Sequence, residues 1–149
     1  MSSSRQLLKL MTFMEICVKL SSLSHDEKMK VATIIITSDF REICAIGLNG
    51  NYRGAPHERE SMETGKSGFT HSEANALIHL CKPFELRPSL IMLCTHKPCP
   101  ACAKLCVNAG IVRVVYLHDY DAMGDETDEI FERSGVELNK LEELVSDAA

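Results

Sequence analysis

A three-layer α/β sandwich on a mixed sheet is the fold this sequence predicts, and three observations predict it. Segments of strand character alternate with segments of helical periodicity after an opening hairpin, which combines an antiparallel start with parallel crossovers. No apolar run approaches the roughly 18 residues that a membrane span requires. Neither an internal repeat nor a Pro/Gly/Ser linker divides the chain, so its 149 residues, 45% apolar and 25% charged, are expected to form one domain over 1–149.

Leu7, Leu10, Met14 and Cys17, with Met11 and Val18, recur at three- and four-residue steps, the stripe of an amphipathic helix over about 5–21 that covers one sheet face. Val31 to Thr37 is β-branched and apolar, Ser38 to Arg41 can turn, and Glu42 to Leu48 resumes the apolar run, which predicts a hairpin. Gly47 to Thr70 reads as a long loop with five helix-breaking Gly or Pro residues after Leu48, and a loop of that length in a compact domain tends to be functional. A helical pattern runs from His71 through Ala74, Leu77, Ile78 and Cys81 until Pro83 stops it. Leu90 to Thr95 is a strand, His96-Lys97-Pro98 a short connection, and Cys99 to Ala109 a helix closed by Gly110. Ile111 to Leu117 is rich enough in Val and Ile to be central; Asp125 to Arg133 is a helix, Val136 to Leu138 a short strand, and Lys140 to Val145 a final helical turn or two.

Charge and cysteine usage narrow the function classes. Sixteen Lys plus Arg stand against 21 Asp plus Glu, a net −5, which argues against binding a long polyanion but not against one small phosphate ester. The polar start, Met1 to Arg5, lacks the regions of a secretory signal, so the chain is expected in the cytoplasm and off the membrane. Seven cysteines are an odd number for a disulfide framework, so free thiols or metal ligands are expected. Cys17, Cys44, Cys81 and Cys94 sit among Ile, Leu and Met, where a thiol behaves as a small buried hydrophobe.

Cys99 and Cys102 differ. His71-Ser72-Glu73 and Pro98-Cys99-Pro100-Ala101-Cys102 each open a predicted helix after a loop, giving H-x-E followed by P-C-x-x-C. Zinc favours thiolate and imidazole in a tetrahedron, and a catalytic site uses three protein ligands with the fourth position left to water. His71, Cys99 and Cys102 supply three, where two helix N-termini meet and the positive helix end favours thiolates. Glu73, in the first turn, can stand beside the metal without ligating it and take a proton from the acidified water. The combination is a known signature of zinc-dependent base deaminases. A redox C-x-x-C would leave His71 and Glu73 unexplained, and a closed structural site would need Cys94, His96 or Cys106 as fourth ligand; Cys106, four residues after Cys102, is expected to pack instead. His79 and His118 are read as ordinary histidines.

At these residues the chain resembles the deoxycytidylate (dCMP) deaminase family of the cytidine deaminase superfamily, over roughly residues 23–139. Ser24-His25-Asp26 leading to Val31-Ala32, Gly47-Leu48-Asn49-Gly50, His71-Ser72-Glu73-Ala74-Asn75-Ala76, and Pro98 to Lys104 continuing to Asn108-Ala109-Gly110-Ile111 all resemble family segments. The resemblance implies a five-stranded mixed sheet between helices, one catalytic Zn2+, and hydrolysis of dCMP to dUMP for thymidylate synthesis, with Glu73 passing a proton to ring N3 and then to departing ammonia. It implies that Asn49 contacts the sugar and that Ser24, Tyr120 and the loop after Gly50 hold the phosphate. His25, Ala32 and Leu48 depart from the family pattern, so compensating cations are sought at Arg53, Arg59 or Lys66, of which Arg53 beside Gly54 is taken into the substrate-binding set. The second, structural zinc of some relatives is not expected, since the stretch between Gly50 and Thr70 has no Cys and only His57. A homo-oligomer, commonly a hexamer, and an effector site for a nucleoside triphosphate with Mg2+ are further implications of the resemblance.

Three other readings compete. One accepts dCTP as well as dCMP. One deaminates bases within nucleic acid, against which stand the net charge and only 5% aromatic residues with no Trp. The last is a zinc-stabilised binding module in which Glu73 merely suits the helix dipole.

Overall fold

The computed structural model describes residues 3–120 and 124–149. Five strands, β1 (Ala32–Thr37), β2 (Ile43–Leu48), β3 (Leu90–His96), β4 (Arg113–His118) and β5 (Glu137–Lys140), form one sheet in the order β2-β1-β3-β4-β5. β1 runs antiparallel to β2 and β3, while β3, β4 and β5 are parallel, so the sheet is mixed as expected.

Alternation along the strands creates two cores. Ile35, Met92, Cys94 and Val114 face α2 (Ser72–Ile78), α3 (Pro100–Ala109) and α4 (Glu126–Ser134). Ile34, Ile36, Ile91, Leu93 and Val115 face α1 (Ser4–Ser21) and α5 (Leu141–Ala148). β3 is buried from Leu90 through Thr95, which is why its sequence is continuously apolar: helices cover both of its faces. Among the described residues, no helix is long and apolar enough to cross a membrane.

Several boundaries differ from the periodicity reading. α1 begins with a capping box in which the Ser3 hydroxyl accepts from the Gln6 N–H and the Gln6 side chain answers. Of its stripe, Leu10, Met14 and Cys17 are buried, whereas Met11 and Val18 are exposed beside α5. α2 ends at Ile78 and not at Cys81, because His79 leaves helical geometry and its ring nitrogen sits 2.8 Å from the Asn75 carbonyl. A 3-10 helix at Phe84–Ser89 then leads into β3. Cys17 and Cys94 are buried as expected, but Cys44 is only half-buried and Cys81 is exposed, since the chain has left the helix before it.

The strand directions decide where a site can form. β2, β3 and β4 end at one edge of the sheet, and β1 starts there: Ala32 pairs with Leu48, Thr33 with Cys94, and His96 with His118. Four connections converge on that edge, after α1, β2, β3 and β4, at the place where ligands gather in α/β sheets.

Candidate active site

His71 and Cys99 are helix N-caps, so α2 and α3 each start one residue later than the pattern suggests. Pro100 occupies the first turn of α3, where its missing N–H costs nothing, and Gly110 closes the helix at φ 87°. The Cys102 N–H points to Cys99 Sγ at 3.5 Å. Both sulfurs are thereby turned to one point: His71 Nδ1 lies 3.3 Å from Cys99 Sγ and 3.5 Å from Cys102 Sγ.

These separations fit a metal. Zinc–nitrogen and zinc–sulfur bonds of ordinary length meeting at the tetrahedral angle span about 3.6 Å between nitrogen and sulfur, and the three donor atoms here all lie within 4.8 Å of one another. The donor set, one imidazole and two thiols, is the soft-ligand combination zinc prefers. Hydrogen bonding from Cys102, with help from His71 against the effect of burial, holds the Cys99 thiol down to about 4, in the thiolate range. The same contact raises Cys102, and the Cys99 hydrogen bond raises His71. Cys106 is fully buried with its sulfur 3.4 Å from Met92 Sδ, and among the described residues it is no part of the donor cluster.

Glu73 stands next to the cluster and is only 4% exposed. Burial raises its carboxyl above the ordinary carboxylate value, opposed by a hydrogen bond from Cys102 and by His71. Its Oε1 accepts from the Ser72 hydroxyl at 3.3 Å, and Ser72 Oγ lies 2.8 Å from Thr33 Oγ1 on β1. The sheet thus fixes the carboxylate through two hydroxyls, a support that spacing alone could not reveal because Thr33 is distant in sequence.

His71, Glu73 and Cys99 line one open cleft. Asn49 and Tyr120, both expected to bind substrate, are on its wall. Ser24 is buried behind Asn49 and donates to its Oδ1 at 2.7 Å. Arg53 is exposed on the loop and is not on the cleft wall; Lys66, also off the wall, pairs with Glu63 at 3.0 Å. Arg59 is on the wall, with a largely buried guanidinium paired to Asp26. Asp26 and Phe69, which the sequence gives no role, also line the cleft, as does His96, which is no part of the donor cluster among the described residues. Asp26 lay inside the Ser24-His25-Asp26 segment that carried the resemblance, and its burial was the missing signal. His79 and His118 are exposed, away from the metal cluster.

Residues 8–118 match the cytidine and deoxycytidylate deaminase zinc-binding region. The chain is 28% identical over 88 residues to the deoxycytidylate deaminase of Enterobacteria phage T2, covering 59% of this chain and 47% of the phage protein. It is 27% identical over 140 residues to the Homo sapiens deoxycytidylate deaminase, covering 87% and 77%. A crystal structure of dCMP deaminase from the cyanophage S-TIM5 in complex with dCMP and dUMP superposes with a TM-score of 0.74 at 30% identity, covering 87% of this chain and 94% of that one. The chain spans about half the length of the phage T2 and T4 relatives.

Proposed function

This chain belongs to the cytidine and deoxycytidylate deaminase family, and we propose that it hydrolyses dCMP to dUMP and ammonia, as one zinc-dependent domain over residues 1–149. The observation that carries the proposal is a buried, unligated carboxylate, Glu73, fixed beside a His71–Cys99–Cys102 donor triangle on the wall of an open cleft. Zinc held by those three residues supplies a Lewis acid that makes water acidic near neutral pH. Glu73 takes one proton of the attacking water and delivers it to ring N3 so that C4 becomes electrophilic, then takes the remaining proton from the new C4 hydroxyl and passes it to the amino group, which leaves as ammonia while the C4 carbonyl forms. The Ser72 hydroxyl at Oε1 keeps the carboxylate in one orientation through these transfers.

Asn49 and Tyr120 belong to the substrate-binding wall in this reading, with Ser24 behind Asn49 and Arg53 on the adjoining loop. The phage T2, human and cyanophage names support a pyrimidine deoxynucleotide as substrate. Kinship also supports a homo-oligomer, a hexamer, in which neighbouring chains shape the pocket, a cytoplasmic location, and a nucleoside triphosphate effector carried with Mg2+.

Ammonia release from dCMP, dCTP, cytidine and deoxycytidine by the zinc-loaded protein tests the proposal. The highest kcat/KM is expected for dCMP. If deoxycytidine without phosphate were the best substrate the nucleotide assignment would fail, and no release from any of the four would remove the deaminase reading.

A further inference from the structure

The cleft must hold an anion at one end if its ligand is a nucleotide, and its cations are unequal. Lys97 is engaged by Asp128 at 2.6 Å and lies over the Tyr116 ring. Lys28 points its ammonium at the Met62 carbonyl and lies 3.4 Å from the Thr64 hydroxyl. Arg59 is different: its side chain is only 10% exposed, its Nε donates to the Ser61 carbonyl at 3.0 Å, one Nη1 hydrogen goes to Asp26, and its guanidinium lies 5.9 Å from the Phe69 ring centroid. Three of its five N–H groups have no partner among the described residues, on a side chain that forms cleft wall.

The groups behind it are fully committed. Asp26, 2% exposed, accepts from the Lys28 N–H at 2.9 Å, the Asn49 carboxamide at 3.2 Å, and Arg59. Asn49 also donates to the Met29 carbonyl at 2.8 Å, while its Oδ1 accepts from Ser24 at 2.7 Å and from the Val31 N–H at 2.9 Å. All four hydrogen-bonding positions of that carboxamide are therefore used inside the protein. Ser24, Asn49 and Asp26 form a hydrogen-bonded chain that ends on Arg59.

We propose that Arg59 grips the nucleotide's phosphate, that Asp26 positions it, and that Ser24 and Asn49 act on the ligand through this chain. The proposal rests on the dCMP reading and deepens it. A guanidinium held at two edges and backed by a ring presents its remaining N–H fork in one orientation, which is what bidentate phosphate recognition requires and what a swinging surface cation cannot supply.

The test compares kcat/KM for dCMP and deoxycytidine in the wild type, Arg59→Gln, Arg59→Lys and Asp26→Asn, with thermal melts run on each. Arg59→Gln is expected to lower the dCMP-to-deoxycytidine ratio about 30-fold, through KM, with Arg59→Lys recovering part of it. Asp26→Asn is expected to lower the same ratio about 5-fold. If Asp26 only neutralised Arg59, removing its charge would raise the ratio, which would overturn the positioning role. Equal losses on both substrates in Arg59→Gln and Arg59→Lys would show a loop-folding role and overturn the phosphate assignment. Should the wild type deaminate neither compound, calorimetry with dUMP and deoxyuridine still decides: a binding advantage of dUMP that Arg59→Gln abolishes supports the grip while the deaminase reading falls, and an advantage that survives in Arg59→Gln sinks the grip.

Discussion

A glutamate two positions from a histidine of a metal-donor cluster has two uses, and burial separates them. A carboxylate that only complements a helix dipole gains most by staying in water, whereas Glu73 is 4% exposed and tied by hydroxyls to the sheet. Glu73→Gln keeps the shape and the Ser72 contact but cannot carry a proton. We expect kcat to fall about 1,000-fold with one zinc per chain retained, measured by steady-state ammonia release and elemental analysis; undiminished turnover would remove Glu73 from the proton path. Asp26 offers a separate residue-scale test. Burial pushes its carboxyl up, but the Lys28 N–H and Arg59 outweigh burial and hold it below the ordinary 3.8. The charged form is thus favoured by folding, so its stabilisation is fully present above that value and is lost as pH falls through the lowered one. Asp26→Asn should melt about 5 °C below the wild type at pH 7, with the gap closing below pH 3.8. A gap that stayed constant down to acid pH would mean the loss is packing and not charge. His71, Glu73, Cys99 and Cys102 were legible in the sequence because residue type and spacing within each of two short motifs mark a donor set and a neighbouring acid. Asp26 and Thr33 were not, because their roles depend on a loop and a strand folding against residues far along the chain.

At the scale of elements, the position of α2 depends on a glycine in β2. A Cβ built on Gly47 would lie 2.0 Å from the Ser72 carbonyl oxygen and 2.4 Å from the Ala76 nitrogen, both backbone atoms of α2. Strand and helix can approach this closely only without a side chain there. Because α2 is capped by His71 and carries Glu73 in its first turn, moving it moves the site. Gly47→Ala is expected to cost about 3 kcal/mol of stability and to lower zinc retention after dialysis, a pairing that simple core overpacking elsewhere would not give. Full zinc occupancy in a destabilised Gly47→Ala protein would separate the helix contact from the metal site. The strand and helix order was readable from alternating periodicity, and Gly47 was part of the segment that carried the resemblance. The reason for the glycine was not readable, since nothing local marks where a distant helix will pass. The early end of α2 and the 3-10 helix at Phe84–Ser89 escaped for a related reason: Leu77, Ile78 and Cys81 keep helical spacing, but the backbone turns at His79 to reach β3.

For the whole molecule, the order β2-β1-β3-β4-β5 brings one member of the donor cluster from the connection after β2 and two from the connection after β3, across the start of β1. The periodicity established that these segments exist and not which neighbours they take, so the sheet order had to come from the structure. A metal that joins α2 to α3 across this edge binds the folded chain and not the unfolded one, and therefore stabilises it by mass action. With free zinc at 100 to 1,000 times its dissociation constant the gain is about 3 to 4 kcal/mol, which for a chain of this size shifts the melting temperature by about 10 °C. We expect chelation to lower the melting temperature by that amount and one equivalent of zinc to restore it. Cys106 supplies the control. Its sulfur packs on Met92 outside the donor cluster, so Cys106→Ala should lower stability by about 1 kcal/mol for the lost packing yet show the same zinc-dependent shift. If the shift vanished in Cys106→Ala, the metal would have four protein ligands, no position would remain for water, and the hydrolytic reading would give way to a structural zinc.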